Sequence, residues 1–292
     1  MKIEKNFRLL LFFTILSLGY CIPVLAQESD GYKLVWSDEF DVDGSPSSIW
    51  SYERGFVRNN ELQWYQPENA RVENGCLVIE ARRDSFPNPR YRAGSTDWRR
   101  SRRIVEYTSS CLTTRGQVEI KYGRVEVRAK IPVSSGSWPA IWLLGTKYGW
   151  PENGEIDMME FYRKNGVPSI LANACWGGTK PFTAIWDSEV VPLSKFTDRK
   201  PGWENEFHIW RMDWDSDFIH LYLDEELLNE IELQKTVNGG VGGNVVNPFS
   251  NSDSGHKAYI LLNLAIGSNG GEPDVSAFPM SYLVDYVRVW QK

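Results

Sequence analysis

The feature that most limits the fold is a two-residue alternation that recurs along the chain. Gly123 to Ile131 reads Gly-Arg-Val-Glu-Val-Arg-Ala-Lys-Ile, which sets Val125, Val127 and Ala129 on one face and charges on the other. A helix of period 3.6 would scatter these side chains around its axis, so the run predicts a strand with one dry face and one wet face. Cys76 to Arg82 and Val284 to Trp290 alternate in the same way, and Phe207 to Trp214 pairs with Phe218 to Leu223 across Asp215-Ser216-Asp217. Gly, Pro, Asn and Asp clusters separate the runs, which predicts an antiparallel all-β sandwich. Residues 224–234 fit one short helix, or a turn and a strand.

No repeat and no linker of distinct composition divides the chain, so residues 27–292 are read as one domain. The start differs. Lys2, Lys5 and Arg8 precede an apolar run from Leu9 to Leu18, and Val24-Leu25-Ala26 offers small residues for cleavage. Residues 1–26 therefore read as a signal peptide, too short in its apolar run to span a bilayer, and the protein is expected to be secreted or periplasmic. Bulky Tyr20 before Cys21 argues against a lipoprotein anchor. No later segment predicts membrane insertion, and the chain is read as a monomer. Removing residues 1–26 takes away Lys2, Lys5, Arg8 and Glu4, so the net charge moves from −6 to −8, which excludes generic nucleic-acid binding.

Cys76, Cys111 and Cys175 remain, an odd number, with Cys76–Cys111 as a candidate cross-strand disulfide. No Cys/His spacing suggests zinc. Thirteen Trp suit either a Trp-rich core or a cleft whose flat rings meet sugar faces. Arg82, Arg83, Arg90, Arg92, Arg99, Arg100, Arg102 and Arg103 crowd a segment that reads as a long hairpin loop before a strand from Tyr107 to Leu112. It is either a solvated loop or a finger over a cleft, contacting a sulfated, sialylated or otherwise polar glycan.

Chemistry concentrates in Gly154-Glu155-Ile156-Asp157-Met158-Met159-Glu160. Strict alternation puts Glu155 and Asp157 on one face and Glu160 on the other. One extra residue, a β-bulge, returns Glu160 to the face of Glu155. Four effective steps then separate the two Glu Cα atoms by roughly 13 Å, and extended side chains leave their carboxyls roughly 5 Å apart, the gap of a retaining glycosidase. Three crowded carboxyls cannot all ionise cheaply, so their pKa values split into an anion and an acid at one pH. A solvated edge strand or a calcium site are the alternatives for such a cluster.

The flanking segments narrow this. Asn60-Glu61-Leu62-Gln63-Trp64-Tyr65, Trp138-Pro139-Ala140-Ile141-Trp142, Gly154 to Glu160, Asn263-Leu264-Ala265-Ile266-Gly267 and Val284 to Trp290 together resemble glycoside hydrolase family 16, the laminarinase-like enzymes. The resemblance runs from about Trp36 to Trp290. It implies a concanavalin A-like β-jelly-roll of two curved antiparallel sheets with a concave cleft. It implies Glu155 as nucleophile, Glu160 as general acid/base and Asp157 as their helper. It also implies Asn60, Trp138, Trp142, Trp150, Trp176 and Asn263 as substrate-binding residues, and no cofactor for catalysis. Relatives hold a structural Ca2+, for which Glu39 and Asp285 are the matching positions.

Two departures bear on substrate. Leu171 to Gly177 lacks the His, and Gly267 to Gly271 lacks the Trp, that the family's β-1,3-glucanases carry there. With the Arg-rich segment, they lean the reading toward a galactose-containing chain of keratan or mucin O-glycan type, cut at β-1,4 or β-1,3 linkages. An endo-β-1,3(4)-glucanase acting on laminarin or lichenan is the alternative. A transglycosylase and a non-catalytic glycan-binding protein stand behind these, and three crowded carboxylates argue against the last.

Overall fold

The computed structural model describes residues 31–243, 245–250 and 256–292. The signal-peptide reading of residues 1–26 lies outside them. Ten strands follow one another from Gly123: β1 (Gly123–Lys130), β2 (Ser137–Gly145), β3 (Glu155–Lys164), β4 (Val167–Gly177) and β5 (Ala184–Pro192) lead. Then come β6 (His208–Trp214), β7 (Phe218–Leu223), β8 (Glu226–Glu232), β9 (Ala258–Ile266) and β10 (Met280–Gln291). Earlier, shorter strands complete two eight-stranded sheets. One sheet runs β8-β7-β6-β1-β10 and continues through Cys76–Ala81 and Ala70–Glu73, with Lys33–Asp38 also paired to β10. The other runs β5-β4-β3-β2-β9 and continues through Cys111–Thr113 and Ser51–Tyr52. This is the jelly roll that the alternation and the resemblance predict. Residues 224–232 resolve to a turn followed by β8, whose backbone pairs with β7, and a 3-10 turn at Leu233–Lys235 follows.

In the first sheet, alternation does what it promises. Val125, Val127 and Ala129 are fully buried, each apolar side chain removed from water contributing about 1–3 kcal/mol. The charges between them pair across strands: Arg124 with Asp213 at 2.6 and 2.9 Å, Arg128 with Asp285 at 2.6 Å. The inner strands of the second sheet are largely buried on both faces, whereas its edge strand β5 is exposed. Every residue of β9 is buried. Ile141 and Leu143 of β2 join the core between the sheets, while Ala140 and Trp142 join Tyr65, Cys111, Tyr259 and Leu261 in a smaller apolar cluster on the other face. Ala140 and Trp142 of that second cluster form part of the floor of a cleft.

Two expectations fail here. Cys76 and Cys111 are free thiols, as is Cys175. Cys76 lies opposite Glu73 in the first sheet and Cys111 opposite Asn263 in the second, so their strands never pair. The Tyr107-to-Leu112 strand is broken into Tyr107–Ser109 and Cys111–Thr113, whose partners differ.

Candidate active site

Two glycines fix where β3 begins. Gly154 has φ 74°, and a Cβ there would meet Phe249 and Pro248 at 2.8 Å. Gly145, at the end of β2, donates its N–H to the Gly154 carbonyl at 3.0 Å, and a Cβ on it would strike the Asn153 carbonyl. From this anchor, Leu144, Trp142 and Ala140 of β2 stand opposite Glu155, Asp157 and Glu160. The β2 partners are evenly two apart although the acids are not. A register shift between Ile141 and Trp142 takes up Met158 as the extra residue. On the far side, Cys175, Asn173 and Leu171 of β4 oppose the same three acids. All three carboxylates therefore share the cleft face, and the two Glu Cα atoms span four strand steps, roughly 13 Å.

Each acid has its own partners. Trp150 Nε1 donates to Glu155 Oε2 at 3.0 Å, and Trp138 Nε1 donates to Glu160 Oε1 at 2.8 Å. Asn173 Nδ2 donates to Asp157 Oδ2 at 3.3 Å and Glu160 Oε2 at 3.1 Å. Burial pushes Glu155 up to about 7, against the pull of the Arg58 charge and the Trp150 hydrogen bond. Burial likewise pushes Glu160 up to about 7; Trp138 opposes this and the Glu155 charge adds to it. Asp157 is driven well above the usual carboxylate range by burial and then by Glu160 and Glu155 on either side. The interaction between Asp157 and Glu155 works in opposite directions on the two, lowering Glu155 and raising Asp157.

Around this row lies a cleft of about 870 Å³, a size that admits sugar rings. Its walls come from β2, β3, β4, β5 and β9 and from the loops at 58–61 and 268–269. The model for glycosyl hydrolases family 16 matches residues 58–242, more than half the chain and all of the acid-bearing strand. The chain belongs to glycosyl hydrolases family 16. It is an endo-acting glycoside hydrolase. A β-glucanase from Rhodothermus marinus is 32% identical over 308 residues, covering 100% of this chain and 97% of its own length. The keratan-sulfate endo-1,4-β-galactosidase of Sphingobacterium multivorum is 31% identical, covering 89% of this chain and 55% of its own. A solved structure from work on endo-acting O-glycanases that prominent human gut microbiota express to initiate mucin breakdown superimposes with a TM-score of 0.77. It shares 34% identity and covers 90% of this chain and 91% of its own.

The family 16 resemblance assigns eleven residues, and the structure divides them. Glu155, Asp157, Glu160, Asn60, Trp138, Trp142, Trp150 and Asn263 all line the cleft. Trp176 does not. It follows Cys175, which lies opposite Glu155 and so shares its face of the sheet, and alternation turns Trp176 inward to the core between the sheets. Glu39 and Asp285 do not fit the calcium role. Arg288 grips Glu39 with two hydrogen bonds of 2.9 and 2.7 Å, and Arg128 holds Asp285 at 2.6 Å. No group of three or more His, Cys, Asp or Glu able to hold a metal ion occurs among the described residues.

The Arg-rich segment is not a finger over the substrate, because none of residues 82–103 lines the cleft. A short strand pair and a helical turn at Trp98–Ser101 fold it back on the protein. Its side chains grip the loop next door. Arg99 donates to the Val57 carbonyl at 3.0 and 2.7 Å, and Arg102 donates to the carbonyls of Asn60, at 2.8 Å, and Glu61.

Sequence reasoning missed Arg58, Asn173, Tyr162 and Trp186, all in the cleft wall. Tyr162 was legible in principle, two residues beyond Glu160 on the same face. Asn173 and Trp186 needed the register of β3 on β4 and β4 on β5, which the chain does not announce. Arg58 needed the path of a loop.

Proposed function

We propose that this protein is a retaining endo-β-glycosidase in which Glu155 is the nucleophile, Glu160 the general acid/base and Asp157 their proton-holding helper. The observation that carries the reading is the bulge at Met158, which sets three acids of uneven spacing opposite three evenly spaced residues of β2. Carboxyls roughly 5 Å apart suit direct attack rather than attack through an intervening water. Asp157, protonated between two glutamates, and the nearby Arg58 favour the anion on Glu155. Glu160 gives its proton to the glycosidic oxygen as the bond to C1 breaks, and Glu155 forms a bond to C1. Water then attacks C1, Glu160 takes its proton, and Glu155 leaves as the carboxylate. Replacing Glu155 by Gln removes the nucleophile; hydrolysis that persisted would refute the assignment.

For substrate, we favour a galactose-containing chain of mucin O-glycan or keratan type. The likeness to the mucin-acting O-glycanase structure and to the keratan-sulfate galactosidase supports it. So does the turn at Ser268–Gly270, where small polar Ser268 and Asn269, rather than an indole, meet the cleft. An endo-β-1,3(4)-glucanase is the second reading, favoured by the end-to-end match to the Rhodothermus marinus enzyme. Digesting mucin O-glycans, keratan, laminarin and lichenan and weighing the products by mass separates them. Oligosaccharides chiefly from the first two, with the last two cut far more slowly, are expected; the reverse pattern makes the enzyme a glucanase.

A further inference from the structure

Trp142 occupies the place where a flat ring could best serve a sugar at the reaction centre. It lies on the cleft face of β2, opposite Asp157 and between the positions facing the two glutamates. Yet it is only 7% exposed. The Arg58 guanidinium carbon stands 5.0 Å from its ring centroid, and its indole N–H is committed to Asn263 Oδ1 at 2.7 Å. Arg58 is in turn ion-paired with Glu53. A guanidinium carries five N–H donors in one plane, so a single carboxylate does not exhaust it.

We infer that Arg58, held by Glu53 over Trp142, is a specificity-determining residue: it denies sugars the face of Trp142 and offers N–H donors to hydroxyls of the ring beside Glu155. The inference rests on the glycosidase reading above. Because Glu53 already neutralises the guanidinium, the pair suits neutral hydroxyls better than an anionic substituent. A buried donor left unpaired by the wrong sugar costs more than a lost apolar contact, so such a wall discriminates sharply.

The loop around Arg58 is built to hold it there. Asn59 and Asn60 both take left-handed backbone angles, φ 56° and 54°, a conformation that asparagine adopts more readily than most non-glycine residues. Arg99 and Arg102 fix this turn by clamping the carbonyls of Val57, Asn60 and Glu61 on either side of Arg58. Arg102 itself is sandwiched by Phe56 and Trp98, 4.9 and 4.8 Å from their ring centroids. The Arg-rich segment thus acts on substrate choice at one remove, as the buttress of Arg58.

The test compares the full chain with its Arg58→Ala, Arg58→Lys and Glu53→Gln variants on two glycans, the one the wild type cuts best and a β-glucan it cuts less well. In Arg58→Ala, kcat/KM on the first is expected to fall about 10–100-fold while the second holds or rises, so their ratio drops at least about tenfold. Arg58→Lys keeps the charge but not the planar cover, and recovers only part of the ratio. Glu53→Gln unpairs the guanidinium and is expected to raise the relative rate on sulfated chains. A ratio within about twofold of wild type in both Arg58 variants, with melting temperatures unchanged, overturns the inference. A wild type that prefers glucan refutes the galactoside reading instead, and the ratio test then runs with a galactoside as the poorer substrate.

Discussion

Trp142 and Trp186 face the same cleft from opposite sides of the carboxylate row, and they are not alike. Trp142 is roofed by Arg58, tied to Asn263 and 7% exposed; Trp186 is 45% exposed. Trp186 lies opposite Cys175, which lies opposite Glu155, so two strand spacings, roughly 10 Å, separate it from the acid. That places an open ring about one or two sugar units away from the bond to be cut. Richness in Trp signals a sugar site only where an indole face is left uncovered, and a residue far away in sequence decides that. On the role inferred for Arg58, one side of the cleft would read its substrate by hydrogen bonding, while the other offers an open ring for stacking.

The contrast has meaning only if the chemistry lies between the two rings. Glu155→Gln is therefore the largest expected effect, a loss of kcat of about 10⁴-fold or more with binding retained. Titration calorimetry with an uncut oligosaccharide checks the second half. Next, Trp142→Ala is expected to act on stability, about 3–5 kcal/mol lost, because it empties a packed floor; chemical denaturation measures it. Trp186→Ala should leave stability alone and raise KM about 10–100-fold, kcat moving little. If Trp186→Ala lowered the melting temperature and spared KM, the two rings would have exchanged roles and the contrast would be void.

The smallest effect is in pH. Glu155 and Glu160 have folded pKa values raised to about 7, so between their unfolded values and 7 the native state binds more protons than the unfolded one. Stability then falls as pH rises through that window. Glu160→Gln removes part of this penalty and should be roughly 1–2 kcal/mol more stable than wild type at pH 8, with no advantage at pH 4. Activity should fall above about pH 7 as Glu160 loses its proton. A flat rate from pH 6 to 9 would exclude Glu160 as the acid.

What the chain discloses is what local period can carry. Val125, Val127 and Ala129 announce a strand with one dry face, and the uneven spacing of Glu155, Asp157 and Glu160 announces the bulge. What it withholds depends on register between strands or on loop paths. Cys76 and Cys111 look pairable until their strands prove to lie in different sheets. Trp176 looks like a cleft residue until its neighbour Cys175 takes that face. The eight arginines look like a ligand for anions until Arg99 and Arg102 are found on backbone carbonyls.

The bulged strand is the centre of the account, and the stereochemistry of the product tests it most directly. Proton NMR of the first reducing ends released, recorded before mutarotation, reports the configuration at C1. Two acids on one face at roughly 5 Å predict retention, so the β-anomer should form first. An α-anomer appearing first would mean single displacement through a water held between more distant carboxyls, and would contradict the assignment of Glu155 as nucleophile.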